Sequence, residues 1–152
     1  IITGSAAAIG KELTENPIVK KISFTGSTEV GKVLLKQSAS TVKKVSMELG
    51  GHAPFVVFED ANIDEAVTGA MQSKFRNSGQ TCICANRIFV HEKVYDEFLD
   101  KFTQEVNKIK VGNGLGEGIV SGPLIDQPSL MKVLDQVKDA VNQGAKVAVG
   151  WE

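Results

Sequence analysis

Apolar and polar residues follow two periodicities along the chain, and these periodicities predict alternating strands and helices. Residues 21–25 and 43–48 carry apolar side chains at every second position, which is typical of strands. Residues 53–58 form a nearly continuous apolar run, which predicts a strand buried on both faces. A further strand is expected at residues 87–90. Strands that alternate with helices at this spacing predict an α/β fold with a largely parallel sheet.

Apolar residues at intervals of three and four predict helices between these strands. A short helix is expected to end before Pro17, and a second extends from about Thr28 to Ser40. Asn62 is predicted to cap a third helix, with Glu65 as its capping-box partner. The residues at helical spacing in the second helix are Val30, Val33, Leu34 and Gln37. In the third they are Ile63, Ala66, Val67, Ala70, Met71, Lys74 and Phe75. Two later helices carry Tyr95, Phe98, Leu99, Phe102, Val106 and Ile109, and Leu130, Val133, Leu134, Val137 and Val141.

Four stretches fall outside this periodic pattern. Residues 111–122 contain five glycines and are predicted to form a long loop. Gly144 is expected just beyond the end of the last helix. Residues 1–3 and 146–149 resemble parts of strands, and the chain does not begin with Met. We therefore expect the chain to be an internal fragment of a longer protein.

Composition excludes several classes of function. The 152 residues are 42% apolar, which suits a globular protein with one ordinary core. The 17 basic and 18 acidic residues nearly cancel and form no basic stripe, so neither a nucleic acid nor a membrane surface is an expected partner. The two cysteines are separated by one residue and make no disulfide framework, which favours a reducing compartment. His52 and His91 are not spaced to bind a metal with either cysteine.

Two stretches carry candidate catalytic chemistry. Residues 75–84, Phe-Arg-Asn-Ser-Gly-Gln-Thr-Cys-Ile-Cys, hold Cys82 between a helix and a strand. A lone cysteine is more often a buried structural thiol, but the small polar residues before Cys82 are better suited to the wall of a pocket. A nucleophilic cysteine needs a base, and Glu48, at a strand end before two glycines, is the candidate. Burial beside residues 53–58 is expected to raise the pKa of Glu48.

A third stretch predicts an anion site. A strand, the turn at Gly26 and Ser27, and a helix follow one another, and the amides of a helix N-terminus favour phosphate. The spacing is not Gly-x-Gly-x-x-Gly, so an ordinary strand-to-helix connection is the alternative.

Three segments in order, residues 24–31, 48–51 and 79–82, resemble signatures of the aldehyde dehydrogenase superfamily. The residues around Cys82 resemble the succinate-semialdehyde dehydrogenase branch most closely, and the resemblance covers essentially the whole chain. It implies that residues 1–47 belong to a Rossmann-type NAD(P)-binding domain and residues 48–152 to an α/β catalytic domain.

The resemblance also implies a mechanism. Cys82 would attack an aldehyde to form a thiohemiacetal, hydride loss to NAD or NADP would leave a thioester, and water deprotonated by Glu48 would release the acid. The backbone amide of Cys82 would supply half of the oxyanion hole. Arg76 would bind a substrate carboxylate, which favours succinate semialdehyde, although a helix C-terminal cation is the alternative for this residue. The implied cofactor-binding residues are Gly26, Ser27, Thr28, Glu29, Val30, Gly31 and Leu49.

The same resemblance implies a biological setting. The complete enzyme would be a homodimer or homotetramer in the cytoplasm, or in the mitochondrial matrix of a eukaryote, with a role in GABA degradation. Its partner would be a small aldehyde, with no metal. Other residues that hold the cofactor and the oxyanion would lie outside this chain, so the isolated chain is expected to be inactive.

Three alternatives remain open at this point. The substrate could be another semialdehyde or an uncharged aldehyde, or the protein could be a non-catalytic NAD(P)-binding or structural relative. Cys82 and Cys84 could also form a redox pair, since residues two apart in an extended chain point to the same side. The alternative for Cys84 is a small buried apolar residue.

Overall fold

A computed structural model describes residues 1–150, and the chain divides into two compact units. The first unit is Ile1–Gly51 and the second begins at His52. The sequence predicted a boundary between Met47 and Glu48. The assignment of the two parts to a cofactor domain and a catalytic domain stays a prediction.

The first unit pairs two parallel strands and two helices. Residues 21 and 44 are opposite each other at the start of the sheet, and residues 26 and 49 at its end. The elements in chain order are α1 (Ala6–Glu15), β1 (Lys21–Gly26), α2 (Thr28–Ala39) and β2 (Lys44–Leu49).

Helix α2 packs by only part of the predicted stripe, since Leu34 and Gln37 are half-buried. Val30 and Val33 are 47% and 52% exposed, whereas Gly31 is buried. A Cβ atom on Gly31 would lie 2.7 Å from Cδ2 of Leu49. The glycine therefore lets α2 approach β2 closely at this point.

The second unit also contains one parallel pair of strands. Its elements are β3 (Ala53–Val57), α3 (Ile63–Phe75), a 3-10 turn (Arg76–Gly79), β4 (Ala85–Val90), a second 3-10 turn (Glu92–Val94), α4 (Tyr95–Asn107) and α5 (Gln127–Asn142). Strands β3 and β4 pair in parallel, with a register shift between Ala53 and Pro54. The predicted alternation of helices and parallel strands is confirmed.

The core of the second unit lies on one face of this pair. Its buried side chains are Val57, Ile63, Val67, Ala70 and Phe98. The prediction that residues 53–58 are buried on both faces is wrong for the described residues, because α3 and α4 cover only one face. On the other face, Val56 and Phe58 are 53% and 66% exposed.

The helix ends at Asn62 and Gly144 agree with the prediction, and Asp126 is a cap that was not predicted. Oδ1 of Asn62 accepts hydrogen bonds from the backbone amides of Asp64 at 3.1 Å and Glu65 at 3.3 Å. Asp126 caps α5 by accepting from the amide of Ser129 at 2.9 Å, and its hydrogen bonds with the side chain and then the amide of Ser129 lower its pKa. Gly144 follows α5 with φ of +96°, as its predicted position requires.

The loop and the two terminal segments complete the chain. Residues 111–122 form the predicted loop, which is closed by an isolated bridge between Val111 and Ser121. Residues 1–3 and 146–149 are not strands, since neither has a strand to pair with among residues 1–150. No helix in that described part is long and apolar enough to cross a membrane.

Candidate active site

The segment before Cys82 reverses direction through three successive left-handed residues. After α3, Asn77 has φ 50° and ψ 42°, and Ser78 has φ 56° and ψ 29°. Gly79 continues with φ of +78°. Left-handed conformations are uncommon outside glycine and often occur at functional sites. The reversal brings the chain from the end of α3 directly to Cys82.

Local hydrogen bonds close this reversal. The amide of Gln80 donates to the carbonyl of Asn77 at 3.1 Å, and the Asn77 side chain donates to the carbonyl of Gln80 at 3.1 Å. A second turn follows, in which the amide of Cys84 donates to the carbonyl of Thr81 at 3.1 Å. Cys82 therefore lies in a turn between two hydrogen-bonded ends.

The two thiols lie in different environments. Cys82 is exposed, as a nucleophile requires, whereas Cys84 is 1% exposed and its thiol points to the carbonyl of Arg76 at 3.9 Å. The premise that the chain around Cys82 is extended, with both thiols on one side, is wrong because residues 81–84 form a turn. The burial of Cys84 agrees with its alternative as a small apolar residue.

Hydrogen bonds to residues far along the chain also hold this reversal. Oγ of Ser78 lies 2.9 Å from Oγ of Ser121, accepts from the amide of Gly122 at 3.1 Å, and lies 3.2 Å from its carbonyl oxygen. The side-chain oxygen of Gln80 accepts from the amide of Ile125 at 3.1 Å. Sequence analysis did not find these contacts, because 43 or more residues separate the partners.

Arg76 lies at a cavity of about 380 Å³ beside the end of α3. Its guanidinium forms no salt bridge with a carboxylate of residues 1–150, and the side chain is exposed. Cys82 is not among the described residues that line this cavity. Gln72, one helical turn before Arg76, is a lining residue that the sequence analysis missed. The full lining is Met71, Gln72, Phe75, Arg76, Asn77, Ile109, Val120 and Ser121.

The turn after β1 has the geometry of a helix cap. Oγ of Ser27 accepts from the amide of Val30 at 3.2 Å, and the carbonyl of Ser27 accepts from the amide of Gly31 at 3.0 Å. The ring of Phe24 fills the space that a side chain on Gly26 would need. The amides of Val30 and Gly31 at the start of α2 are therefore already hydrogen-bonded to Ser27.

A cavity of about 550 Å³ in the first unit adjoins this turn. Its walls are mostly apolar, and Val30 links it to the residues predicted to bind cofactor. Sequence analysis missed the contribution of the first residues and of α1, although a Gly-Ser pair before a helix was a usable signal. The lining residues are Ile2, Thr3, Gly4, Ala6, Ile9, Gly10, Leu13, Ile22, Ser23, Phe24, Val30 and Leu34.

Glu48 lies near the end of β2, opposite Thr25 in the sheet register. It is exposed, because side chains alternate along β2 and Val45, Met47 and Leu49 occupy the half-buried face. The predicted burial of Glu48 is therefore not observed in this chain. Leu49 packs against Gly31.

The two histidines take part in local hydrogen bonds. The carbonyl of His52 accepts from the guanidinium of Arg87 at 2.9 Å. Nδ1 of His91 accepts from the amide of Lys93 at 3.3 Å. Within residues 1–150, no three His, Cys, Asp or Glu side chains are grouped as metal ligands.

Comparison with known proteins establishes the family. The model of the aldehyde dehydrogenase family matches residues 1–152, and the chain belongs to that family. The structure superimposes on a crystal structure of aldehyde dehydrogenase from Brucella melitensis biovar abortus 2308 with a TM-score of 0.96 and 55% identity. That match covers 99% of this chain and 31% of the other.

Three curated relatives act on different aldehydes according to their names. The succinate-semialdehyde dehydrogenase [NADP(+)] of Escherichia coli strain K12 is 55% identical over 99% of this chain. The glutarate-semialdehyde dehydrogenase of Pseudomonas putida strain KT2440 is 56% identical over the same share, and a 3-sulfolactaldehyde dehydrogenase of Pseudomonas putida is 53% identical over 100% of it. The chain spans 31% of the length of each relative.

Proposed function

We propose that the protein carrying this chain is an NAD(P)-dependent dehydrogenase that oxidises an aldehyde with a distal anionic group to the acid. Succinate semialdehyde is the favoured substrate. The observation that carries this proposal is Arg76, an exposed guanidinium without a carboxylate partner among the described residues, at the edge of a cavity. The aldehydes named for the three relatives share a second, anionic group, either a carboxylate or a sulfonate.

A guanidinium suits either anion. Its planar fork forms two parallel hydrogen bonds to a carboxylate or sulfonate, which fixes the direction of the substrate as well as its charge. Met71 and Phe75 give the same cavity an apolar wall for the carbon chain. The amide of Gln72 can add a neutral hydrogen bond, since residues four apart lie on one helix face.

The reaction is proposed to occur at Cys82. Glu48 takes the proton of the thiol and passes it to solvent, and the sulfur bonds to the aldehyde carbon to give a thiohemiacetal. The backbone amide of Cys82 stabilises the developing oxyanion. Bound NAD(P)+ supplies the acceptor for the hydride that leaves this carbon. The resulting thioester is hydrolysed when Glu48 takes a proton from water, and the water oxygen displaces the thiolate to give the carboxylic acid.

The first unit has groups that fit the cofactor. A pyrophosphate is proposed to bind at the N-terminus of α2, where Gly26 and Ser27 are exposed. The apolar cavity of about 550 Å³ beside Val30 suits the flat ring of an adenine. The exposure of Glu48 allows water to reach its carboxylate, which the hydrolytic step requires.

The wider setting is also proposed. A homo-oligomer in the cytoplasm or mitochondrial matrix, acting in GABA degradation, agrees with the resemblance to succinate-semialdehyde dehydrogenases. One relative, from Arabidopsis thaliana, is named as mitochondrial.

The test is an assay of the full-length protein that contains this chain. We expect succinate semialdehyde to be converted to succinate with formation of NADH or NADPH, and Cys82→Ala to abolish both products. Cys84→Ser, which keeps a small side chain beside the nucleophile, is the matched control and should retain turnover.

Two results would contradict the proposal. Cofactor binding without turnover in the wild type would favour a non-catalytic relative. A wild type that prefers an uncharged aldehyde of the same length would remove the proposed role of the distal anion.

A further inference from the structure

The turn that presents Cys82 is joined to a remote loop by side-chain hydrogen bonds. We call Ser78, Gln80, Ser121, Gly122 and Ile125 the latch. Its distances are 2.9 Å between the two serine hydroxyls, 3.1 Å from the Gly122 amide to Ser78, and 3.1 Å from the Ile125 amide to Gln80. Every one of these bonds connects residues 76–84 to residues 121–125.

The hydroxyl of Ser78 uses its full hydrogen-bonding capacity in the latch. A serine hydroxyl has one hydrogen to donate and two lone pairs to accept. It accepts from the amide of Gly122 and donates to the carbonyl of Gly122. Its second lone pair then accepts the hydroxyl hydrogen of Ser121. Ser78 and Ser121 are half-buried, so water does not readily replace these bonds.

The conformation of Ser78 requires such support. Its φ of 56° is unfavourable for an L-residue, and the preceding Asn77 is left-handed as well. Strained backbone of this kind persists only where surrounding contacts enforce it. The local bonds of Asn77 to Gln80 close the turn, and the latch is the set of contacts that holds Ser78 itself.

The remote side of the latch is anchored in turn. The amides of Val120 and Ser121 donate to the carbonyl of Lys110 at 3.0 Å and 3.3 Å, and the amide of Gly112 donates to the carbonyl of Ser121 at 3.0 Å. Lys110 follows shortly after α4, whose Phe98 belongs to the core. The loop base is thus tied to a packed helix, and Ser121 can serve as a fixed point.

We propose that Ser78 is a positioning residue for Cys82, acting through the latch. The hydroxyl of Ser78 holds the left-handed turn in place, and this turn sets the position of the Cys82 sulfur relative to the aldehyde carbon. A shift of about 1 Å in a reacting group can cost about a hundredfold in rate. The latch therefore contributes to kcat and leaves binding of aldehyde and cofactor nearly unchanged. This inference rests on the proposed function.

Substitutions at Ser78 and Ser121 in the full-length protein separate hydrogen bonding from backbone strain. Ser78→Ala removes the hydroxyl and keeps an L-residue at positive φ, whereas Ser78→Gly removes the hydroxyl and relieves the conformation. Ser121→Ala removes one partner of this hydroxyl. Thr103→Ala, which loses a hydroxyl bond to Leu99 within α4, is the control for hydroxyl loss elsewhere in the same unit.

We expect kcat to fall about tenfold to a hundredfold in Ser78→Ala and in Ser78→Gly, with KM for aldehyde and cofactor within about twofold of wild type. Ser121→Ala should lower kcat less, and Thr103→Ala should keep it. Adding Ser121→Ala to Ser78→Ala should have little further effect, since Ser121 acts through Ser78.

A second measurement does not depend on catalysis. Amide hydrogen exchange in residues 76–84 should quicken in both Ser78 variants and stay unchanged in Thr103→Ala. Unchanged exchange in the Ser78 variants overturns the latch. Wild-type kcat in Ser78→Gly with a loss in Ser78→Ala also overturns it, because strain and not the hydroxyl would then decide. If wild type shows no aldehyde oxidation, the proposed function fails, and the exchange experiment still decides whether the latch holds the turn.

Discussion

Residues 26–31 and residues 76–84 both place a serine next to glycine at a helix end, yet they are held in different ways. Ser27 caps the helix that follows it and accepts from the amide of Val30, three residues away. Ser78 follows a helix, adopts a left-handed conformation, and bonds to residues 43 and 44 positions further along the chain. The first turn depends on neighbouring residues, and the second depends on tertiary contacts.

This difference distinguishes the turn that is proposed to bind cofactor from the turn that is proposed to present the nucleophile. A turn closed by local bonds forms with its helix and presents backbone amides in a fixed direction. A turn held by remote contacts can adopt a strained shape that its own sequence would not maintain. We infer that the turn at Ser27, which is proposed to bind cofactor, is specified locally, and that the geometry of Cys82 is specified by the folded second unit.

The largest expected effect concerns Glu48, which belongs to the first unit but is assigned a chemical role. Glu48→Gln keeps the shape of the side chain and removes the base, so kcat should fall by about 10²- to 10⁴-fold while the dissociation constant of the cofactor holds. Steady-state kinetics and cofactor titration measure the two quantities, with Glu15→Gln as an exposed control in the same unit. A collapse of cofactor affinity with kcat intact would show that the first unit only binds.

The next effect concerns Arg76, at the start of the strained turn. Arg76→Ala should lower kcat/KM for succinate semialdehyde by about tenfold to a hundredfold, because a charge-assisted hydrogen bond is lost. Butanal, which has the same length and no carboxylate, should be affected much less. Arg76→Lys keeps the charge without the fork and should fall between wild type and Arg76→Ala. Equal losses for both aldehydes would indicate a structural arginine.

A smaller and slower effect is expected at Cys84. Mild peroxide should inactivate wild type reversibly through a bond between Cys82 and Cys84, but slowly, because Cys84 is buried and the turn at residues 81–84 must open first. Cys84→Ala should be inactivated irreversibly by over-oxidation of Cys82. Recovery with dithiothreitol and mass spectrometry of the intact protein distinguish the two. Identical behaviour without an intramolecular disulfide would leave Cys84 as a packing residue.

The smallest effect is expected at the locally closed turn. Ser27→Ala removes the cap of α2, which is worth about 1 kcal/mol, and should weaken cofactor binding severalfold with little change in kcat. Ser27→Thr keeps the cap and should bind as wild type does. Isothermal titration of the cofactor measures the difference. A loss of kcat as large as that of Ser78→Ala would remove the contrast between the two turns.

Sequence reasoning succeeded where neighbouring residues decide the structure. The cap at Asn62, the buried stripe through Val67 and Ala70, and the glycine-rich loop at residues 111–122 all depend on local preference or on helical period. The family was also recognisable from three ordered segments, and the match to residues 1–152 confirms it.

Sequence reasoning failed where packing partners decide the structure. The exposure of Val30 and Val33 and the exposed side of residues 53–58 depend on which faces the neighbouring elements cover. The turn between Cys82 and Cys84 and the contacts of Ser78 involve backbone geometry or distant partners that no periodic pattern reveals.

The close contact between Gly31 and Leu49 has a consequence for how these positions can evolve. Gly31 ends the first signature, Leu49 belongs to the second, and a methyl group on Gly31 would lie 2.7 Å from Cδ2 of Leu49. A larger residue at position 31 must displace this leucine, whose neighbour in the chain is Glu48. Related proteins should therefore show covariation, in which a side chain at position 31 is accompanied by a smaller residue at position 49. We therefore expect substitutions in the two signatures to be linked, although the signatures are separate along the chain.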